Sequence, residues 1–294
     1  MIMNKRTRAE LYLLLITLIW GSTFVVTKFV LQDAGPFLYT TIRFLIATLV
    51  FGVAFFPRLR TIGKTAALKG AILGFLLFIG FATQTVGLLH TTASKSAFIT
   101  GMMVAFTPIC QLAIERKSPK VGNLVGVVLV MAGLYFLTSP TGSHFTLGDG
   151  LTLICALSFA FYIVYLDIFS QNCDASHLTF MQFAVTAGLA GLSYLVFEDF
   201  HMVLNLEFTI GVLYLAIFAT VIALFVQVRY QKDTTPTRSA VVFSVEPVVA
   251  AIVAYFVLGE RLGEYGILGA SLIMAGVAVS EFSDSLFKPK SLAV

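Results

Sequence analysis

Apolar residues run along this chain in ten blocks of about twenty, parted by short polar links. A helix rises about 1.5 Å per residue, so roughly 20 residues cross the ~30 Å hydrocarbon core of a bilayer. The pattern predicts membrane-spanning helices at 10–30, 37–56, 68–89, 95–115, 120–138, 148–170, 177–197, 208–230, 237–258 and 265–282. No link is long enough to hold a soluble domain. Composition agrees: 58% of the residues are hydrophobic and 12% charged, with a mean hydropathy of +0.94. A water-soluble chain of 294 residues with that make-up would expose large apolar patches. The expected fold class is an all-α membrane protein with ten transmembrane helices.

Charge sets the expected orientation. Lysine and arginine in short loops stay on the cytoplasmic side. A cytoplasmic N-terminus places fifteen of the nineteen cations there: Lys5, Arg6, Arg8, Arg58, Arg60, Lys64, Lys69, Arg116, Lys117, Lys120, Arg229, Lys232, Arg238, Lys288 and Lys290. The outer links keep Lys95 and Arg261. Lys28 and Arg43 fall near the outer ends of the first two spans, where they either snorkel to headgroups or serve as an outer gate or anion attractor. Both termini are expected in the cytoplasm. The basic start resembles a secretory signal, but the first span is too long for one, has no small-residue cleavage site, and contains Trp20 and Lys28. Cys110, Cys155 and Cys173 have neither metal-ligand spacing nor an obvious disulfide pairing.

The chain also repeats itself. Lys95-Ser96-Ala97 recurs 143 positions on as Arg238-Ser239-Ala240, Met131-Ala132-Gly133 as Met274-Ala275-Gly276, Gly126 as Gly269 and Gln84 as Gln227. Earlier in each half the shift is 139, taking Gln32 to Gln171, Thr40 to Thr179 and Phe44 to Phe183. Residues 1–143 and 144–294 are thus two five-span halves of one transport domain. Five is odd, so the second half enters the membrane from the opposite side. Inverted repeats of this kind characterise secondary transporters, whose substrate site lies near the midplane where the halves meet.

Between Arg238 and Arg261 the ninth span carries one carboxylate, Glu246, followed at once by Pro247. An ionisable group near mid-membrane costs about 2.5 kcal/mol or more, so it faces protein or a wet cavity. Glu246 is read either as a direct part of a transport cycle or as a protonated acid holding helices together. Pro247 cannot donate to the carbonyl of Phe243, which predicts a kink. Pro108 is the kink residue of the fourth span. The 143 shift sets Pro247 opposite Val104 and Glu246 opposite Met103, so the kinks are expected about one turn out of step. Ser239, Val242, Phe243, Val249, Ala250 and Val253 share the face of Glu246, and span four offers Ser96, Thr100, Met103 and Thr107. Trp20, Gln84, Gln227, Ser158 and Tyr162 bring polar groups that lipid would not leave bare, so each belongs to a cavity wall or to helix packing. Asp167 and Arg229 form either a salt bridge closing the inner mouth or a solvated interfacial pair. Gly70 with Gly74 and Gly122 with Gly126 allow close helix approach.

Ile19-Trp20-Gly21-Ser22-Thr23-Phe24, the Glu246-Pro247 pair with Gly259-Glu260-Arg261 beyond it, and the glycine-rich last span resemble the EamA-type members of the drug/metabolite transporter superfamily. The resemblance covers nearly the whole chain. It implies ten helices in two inverted five-helix repeats, an alternating-access cycle, and a central cavity lined mainly by spans 1, 3, 4, 6, 8 and 9, with spans 5 and 10 peripheral. Bacterial members of this type mostly export amino acids and related small metabolites. Relatives in the superfamily carry nucleotide sugars, triose phosphates or drugs.

Enzyme signatures are missing from the sequence: it has no HExxH, no GxSxG elbow and no P-loop. His90, His144, His177 and His201 fall at or near links, and no metal or cofactor is expected. Energy is then expected from a gradient, with no ATPase subunit and no nucleic acid involved. Glu246 is the candidate proton carrier, neutral in a closed, dry state and ionised in an open one. The expected function is export of amino acids or amino-acid-like amphipathic compounds across a bacterial cytoplasmic membrane, by a monomer or homodimer whose partners are its small-molecule substrate and the lipid bilayer. One rival is a broad-specificity drug exporter. Another is an exchanger of phosphorylated metabolites or nucleotide sugars, which would want lysines or arginines at mid-depth. The span pattern places none there. A membrane-embedded enzyme or a channel would need a catalytic constellation or polar rings along a pore.

Overall fold

A computed structural model describes residues 4–138, 145–260 and 265–286. His144, Arg261, Lys288 and Lys290 of the sequence reading lie outside the described residues. The helices are α1 (Lys5–Asp33), α2 (Pro36–Ala54), α3 (Lys64–Leu88), α4a (Ala93–Gly101), α4b (Met103–Glu115), α5 (Val121–Thr138), α6 (Leu147–Ser170) and α7 (Ala175–Phe197). They continue as α8a (Leu206–Tyr214), a π-helical segment (Leu215–Ile222), α8b (Ala223–Tyr230), α9a (Pro236–Phe243), α9b (Glu246–Leu258) and α10 (Gly266–Leu286). Among the described residues eight helical stretches are long and apolar enough to cross a membrane, while the apolar parts of α5 and α10, Val121–Phe136 and Gly266–Ser280, are shorter. Large side chains such as Val53, Phe256 and Ile267 point outward, 81%, 78% and 82% exposed. Apolar surface that open belongs in lipid, and the chain is a multi-pass membrane protein.

Polar side chains fix where helices begin. Asn4 accepts from the amide of Arg6, so α1 starts at Lys5, five residues before the predicted apolar block, because a helix does not stop where its apolar face does. Glu198 accepts from the amides of Phe37 and Leu38 at the start of α2 (2.7 and 2.9 Å). Glu260 does the same for Ala93 and Ser94 at the start of α4a (3.3 and 3.1 Å). Thr146 and Asp149 form a capping box on α6. Each supplies negative charge or a lone pair where helix amides have no partner.

Small residues fix how helices meet. On the seam between α5 and α10, a Cβ at Gly126 would stand 2.8 Å from the carbonyl oxygen of Gly276, and one at Gly133 would stand 2.7 Å from that of Gly269. Only hydrogen fits at either place. Gly70 and Gly74 seat α3 against Leu178 and Gln182 of α7 in the same way.

Two helices break within the bundle, α4 at Met102 and α9 at Ser244–Val245. Met102 and Val245 stand 143 positions apart, so the breaks fall in step, contrary to the expectation from the prolines. The proline positions do not decide the break: Pro108 lies inside α4b, and Pro247 lies in the first turn of α9b, where an absent amide costs little.

Candidate functional site

A cavity lies among α1, α2, α3, α4b, α6, α8 and α9. Of the residues named in the sequence reading, Trp20, Gln84, Met103, Tyr162, Gln227, Phe243 and Glu246 meet there. Thr100, Ser158 and Ser96 are short hydroxyls set back in the packing. Thr100 accepts from Nε2 of Gln84 (3.1 Å), Ser158 donates to the carbonyl of Leu76 (2.8 Å), and the hydroxyl of Ser96 is buried without a partner. Thr23, Leu77, Phe81, Phe159, Ile163 and Leu224 complete most of the wall and make it largely apolar.

The polar groups are tied down from behind. The Trp20 indole donates to the carbonyl of Ala219 (2.9 Å) and meets Phe243 edge-on. Ala219 belongs to the π-helical segment of α8, whose wide turn is closed by Thr220 Oγ1 donating to Leu215 five residues back (2.8 Å). Tyr162 donates to Oε1 of Gln182 (3.0 Å). Gln227 donates to Gln231, which donates to the carbonyl of Ile163 (2.9 and 2.7 Å). Glu246 is the first residue of α9b and is 8% exposed; its carboxyl has no hydrogen bond or ion pair among the described residues. Gly21 lets α1 approach it, since a Cβ there would meet Val249 and the carbonyl of Glu246.

The sequence reading left Arg43 at the outer end of its span, either snorkelling to headgroups or serving as an outer gate or anion attractor, and did not place it in the cavity. It does not snorkel: it is 3% exposed and joins the cavity wall. Its Nε donates to Thr220 Oγ1 (2.7 Å) and its Nη1 to the Tyr39 hydroxyl (3.0 Å), with the guanidinium 4.7 Å over the Phe81 ring. The cavity therefore holds a cation that the apolar-block pattern did not place at depth. A signal was present, because Arg43 stands on the same stripe as Tyr39, Thr40, Phe44, Ala47 and Phe51, all buried, while Leu45, Leu49 and Val53 face outward.

Polar layers lie toward the two ends of the helix bundle. At the end where α1 starts, Arg238 Nε lies 2.6 Å from Glu10 Oε1, with both side chains at most 5% exposed. Thr234 also donates to that oxygen (2.9 Å), and Arg238 Nη1 donates to the carbonyl of Ser280 (2.7 Å). At the other end Lys95 Nζ lies 2.6 Å from Asp149 Oδ2, and Thr91 donates to Oδ1 (3.0 Å). Lys28 stands beside Glu260 (3.8 Å) at this end. Asp167 and Arg229 do not pair, which corrects that expectation. Gln227 and Gln231 turn inward on the helix of Arg229, so Arg229, two residues from each, points out and is exposed over Tyr230. Oδ1 of Asp167 is buried without a hydrogen-bond partner among the described residues. No group of three or more His, Cys, Asp or Glu able to hold a metal ion occurs among the described residues.

Residues 7–139 and 146–282 each match the EamA-like transporter family. An uncharacterized transporter of Archaeoglobus fulgidus is 35% identical over 94% of this chain and 86% of its own length. A probable amino-acid metabolite efflux pump of Escherichia coli strain K12 is 27% identical over 92% of this chain and 93% of its own. One crystal structure, described only as that of a protein, superposes with a TM-score of 0.80 at 18% identity, covering 97% of this chain and all of that one, and so shares the fold. With both halves matched and an apolar cavity enclosed between them, this chain belongs to the EamA-like transporter family.

Proposed function

We propose that this transporter works by alternating access as a secondary active exporter of amino acids or amino-acid-like amphipathic compounds, with both termini in the cytoplasm. One observation carries the reading: the polar layers at the two ends correspond across the halves. Lys95 and Arg238 are 143 positions apart, as are Thr91 and Thr234, and Glu10 and Asp149 are 139 apart. Each layer joins a cation and a threonine from one half to a carboxylate from the other. A closed layer at each end, related by exchange of the halves, is what an inverted repeat needs in order to open one side at a time.

The cavity supports the same reading. Ten lining residues fall into equivalent pairs: Trp20 with Phe159 and Thr23 with Tyr162 at 139, Phe81 with Leu224, Gln84 with Gln227 and Met103 with Glu246 at 143. The α5–α10 seam maps onto itself under the same exchange, because Gly126 corresponds to Gly269 and Gly133 to Gly276. Ten membrane crossings follow if α5 and α10 count as spans beside the eight longer stretches. The substrate class draws on the amino-acid metabolite efflux pump named among the relatives and on a wall that is mostly apolar with few polar groups. Exchange of phosphorylated metabolites is the second reading, and Arg43 is the observation that favours it. Glu246 on the same wall counts against a dianion. Proteoliposomes loaded with radiolabelled amino acids, with and without a pH gradient, test the proposal. Gradient-dependent release above the level of protein-free liposomes is expected, and its absence for every amino acid and every phosphate ester tried would remove the transport reading.

A further inference from the structure

We infer that Arg43 and Glu246 together form a receptor for a zwitterion, Arg43 taking the substrate's carboxylate and Glu246 its ammonium group; this rests on the transport reading above. Both line one cavity, both are more than nine-tenths buried, and neither has an ion-pair partner among the described residues. Two of the five guanidinium N–H groups are used, toward Thr220 and Tyr39. No protein acceptor takes either N–H of Nη2 among the described residues, and a planar fork with free donors is the geometry that binds carboxylate by two parallel hydrogen bonds.

The fold does not ask for these charges. The position equivalent to Arg43 in the second half is Gln182, and the position equivalent to Glu246 in the first is Met103. The equivalent helix of the other half is in each case packed with a neutral side chain there, and both departures from the repeat face one cavity. A buried guanidinium and a buried carboxyl held apart from each other are best satisfied by a ligand that brings opposite polarity to each. A zwitterion does this at zero net charge. A simple amine leaves Arg43 unpaired, a simple acid leaves Glu246 unpaired, and a phosphate dianion adds a second negative charge. Phe81, Phe159, Phe243 and Leu77 remain for the apolar part of the ligand.

Binding to the purified full-length protein in detergent, followed by thermal shift and calorimetry, tests this separately from flux. The probes are the proteinogenic amino acids, aminocaproate as a zwitterion of wider charge spacing, phenethylamine without the carboxylate, hydrocinnamate without the amine, and glycerol phosphate. At least one zwitterion is expected to bind about 10- to 100-fold more tightly than its one-charge analogue. Arg43→Gln is expected to erase that preference over phenethylamine while leaving phenethylamine binding unchanged or tighter, with Arg43→Lys in between. Glu246→Gln should erase the preference over hydrocinnamate. If Arg43→Gln weakened zwitterion and amine equally, Arg43 would be a latch for α8 and the inference would fail. It would also fail if phosphate or a lone amine bound best, or if no probe bound. Binding with the expected selectivity but no flux would uphold the receptor and overturn the transport reading; flux of an uncharged or cationic compound would do the reverse.

Discussion

Glu246 and Trp20 show how single side chains carry this site. An unpaired carboxyl at the first position of α9b is poorly placed to serve as structural glue, since it holds nothing. Glu246→Gln keeps its shape and removes its capacity to carry a proton. Flux driven by a pH gradient is expected to drop to the protein-free level while the fold survives; unchanged gradient-driven flux would show that the proton moves elsewhere or not at all. Trp20 does hold something, the carbonyl of Ala219 in the π-helical segment. Trp20→Phe removes that donor and is expected to cost about 0.5–1.5 kcal/mol, read as a lowered melting temperature in detergent.

Among the elements, helix starts and glycine seams set the geometry around the cavity. Asp174 caps α7 from a link outside the membrane-spanning segments, accepting from the amide of Ser176 (2.8 Å). Its partial burial opposes ionisation, but the hydrogen bonds from Ser176 and the nearby His177 outweigh this and hold the carboxyl below its ordinary value. A carboxylate with a folded pKa below its unfolded one stabilises the fold fully above the unfolded value, about 3.9, and loses that contribution as pH falls through the folded one. Asp174→Ala is expected to cost about 1 kcal/mol near neutral pH, a deficit that should narrow as unfolding is followed to lower pH. On the α5–α10 seam, Gly133→Leu would drive a side chain into the carbonyl of Gly269, and destabilisation of at least about 1–3 kcal/mol is expected. A neutral result would mean that the seam is looser than its 2.7 Å approach implies.

At the scale of the whole molecule, the question is which end opens. Glu10 and Arg238 are buried together, so removing either breaks a buried ion pair and destabilises the state in which the two meet. Glu10→Gln is therefore expected to favour the state open at the α1-start end, and Asp149→Asn the state open at the other. Leu77→Cys, placed in a background without Cys110, Cys155 and Cys173, reports this through thiol labelling from each face of oriented vesicles. Labelling should rise by about two orders of magnitude from opposite faces in the two variants. A rise from the same face in both, or from neither, would show that these layers are not gates.

Much of this was legible from the sequence because lipid imposes a simple rule. Every buried backbone group must be satisfied within its own helix, so apolar blocks of helical length announce the spans, and matched residues such as Lys95 and Arg238 announce the repeat. Trp20, Gln84, Gln227 and Glu246 were readable as cavity candidates for a related reason: a polar group in an apolar block has to go somewhere. Pairing was not readable. Whether Arg229 meets Asp167, or Arg238 meets Glu10 instead, depends on the rotational phase and crossing of helices far apart in the chain. From its distance along α2, Arg43 was open between a headgroup anchor and an outer gate or anion attractor, and only the helices packed around that stripe turned it inward. Composition and period fixed which segments cross the membrane; the side chains facing one another across the cavity were chosen by tertiary packing, because their contacts are between residues up to 228 positions apart, as from Glu10 to Arg238.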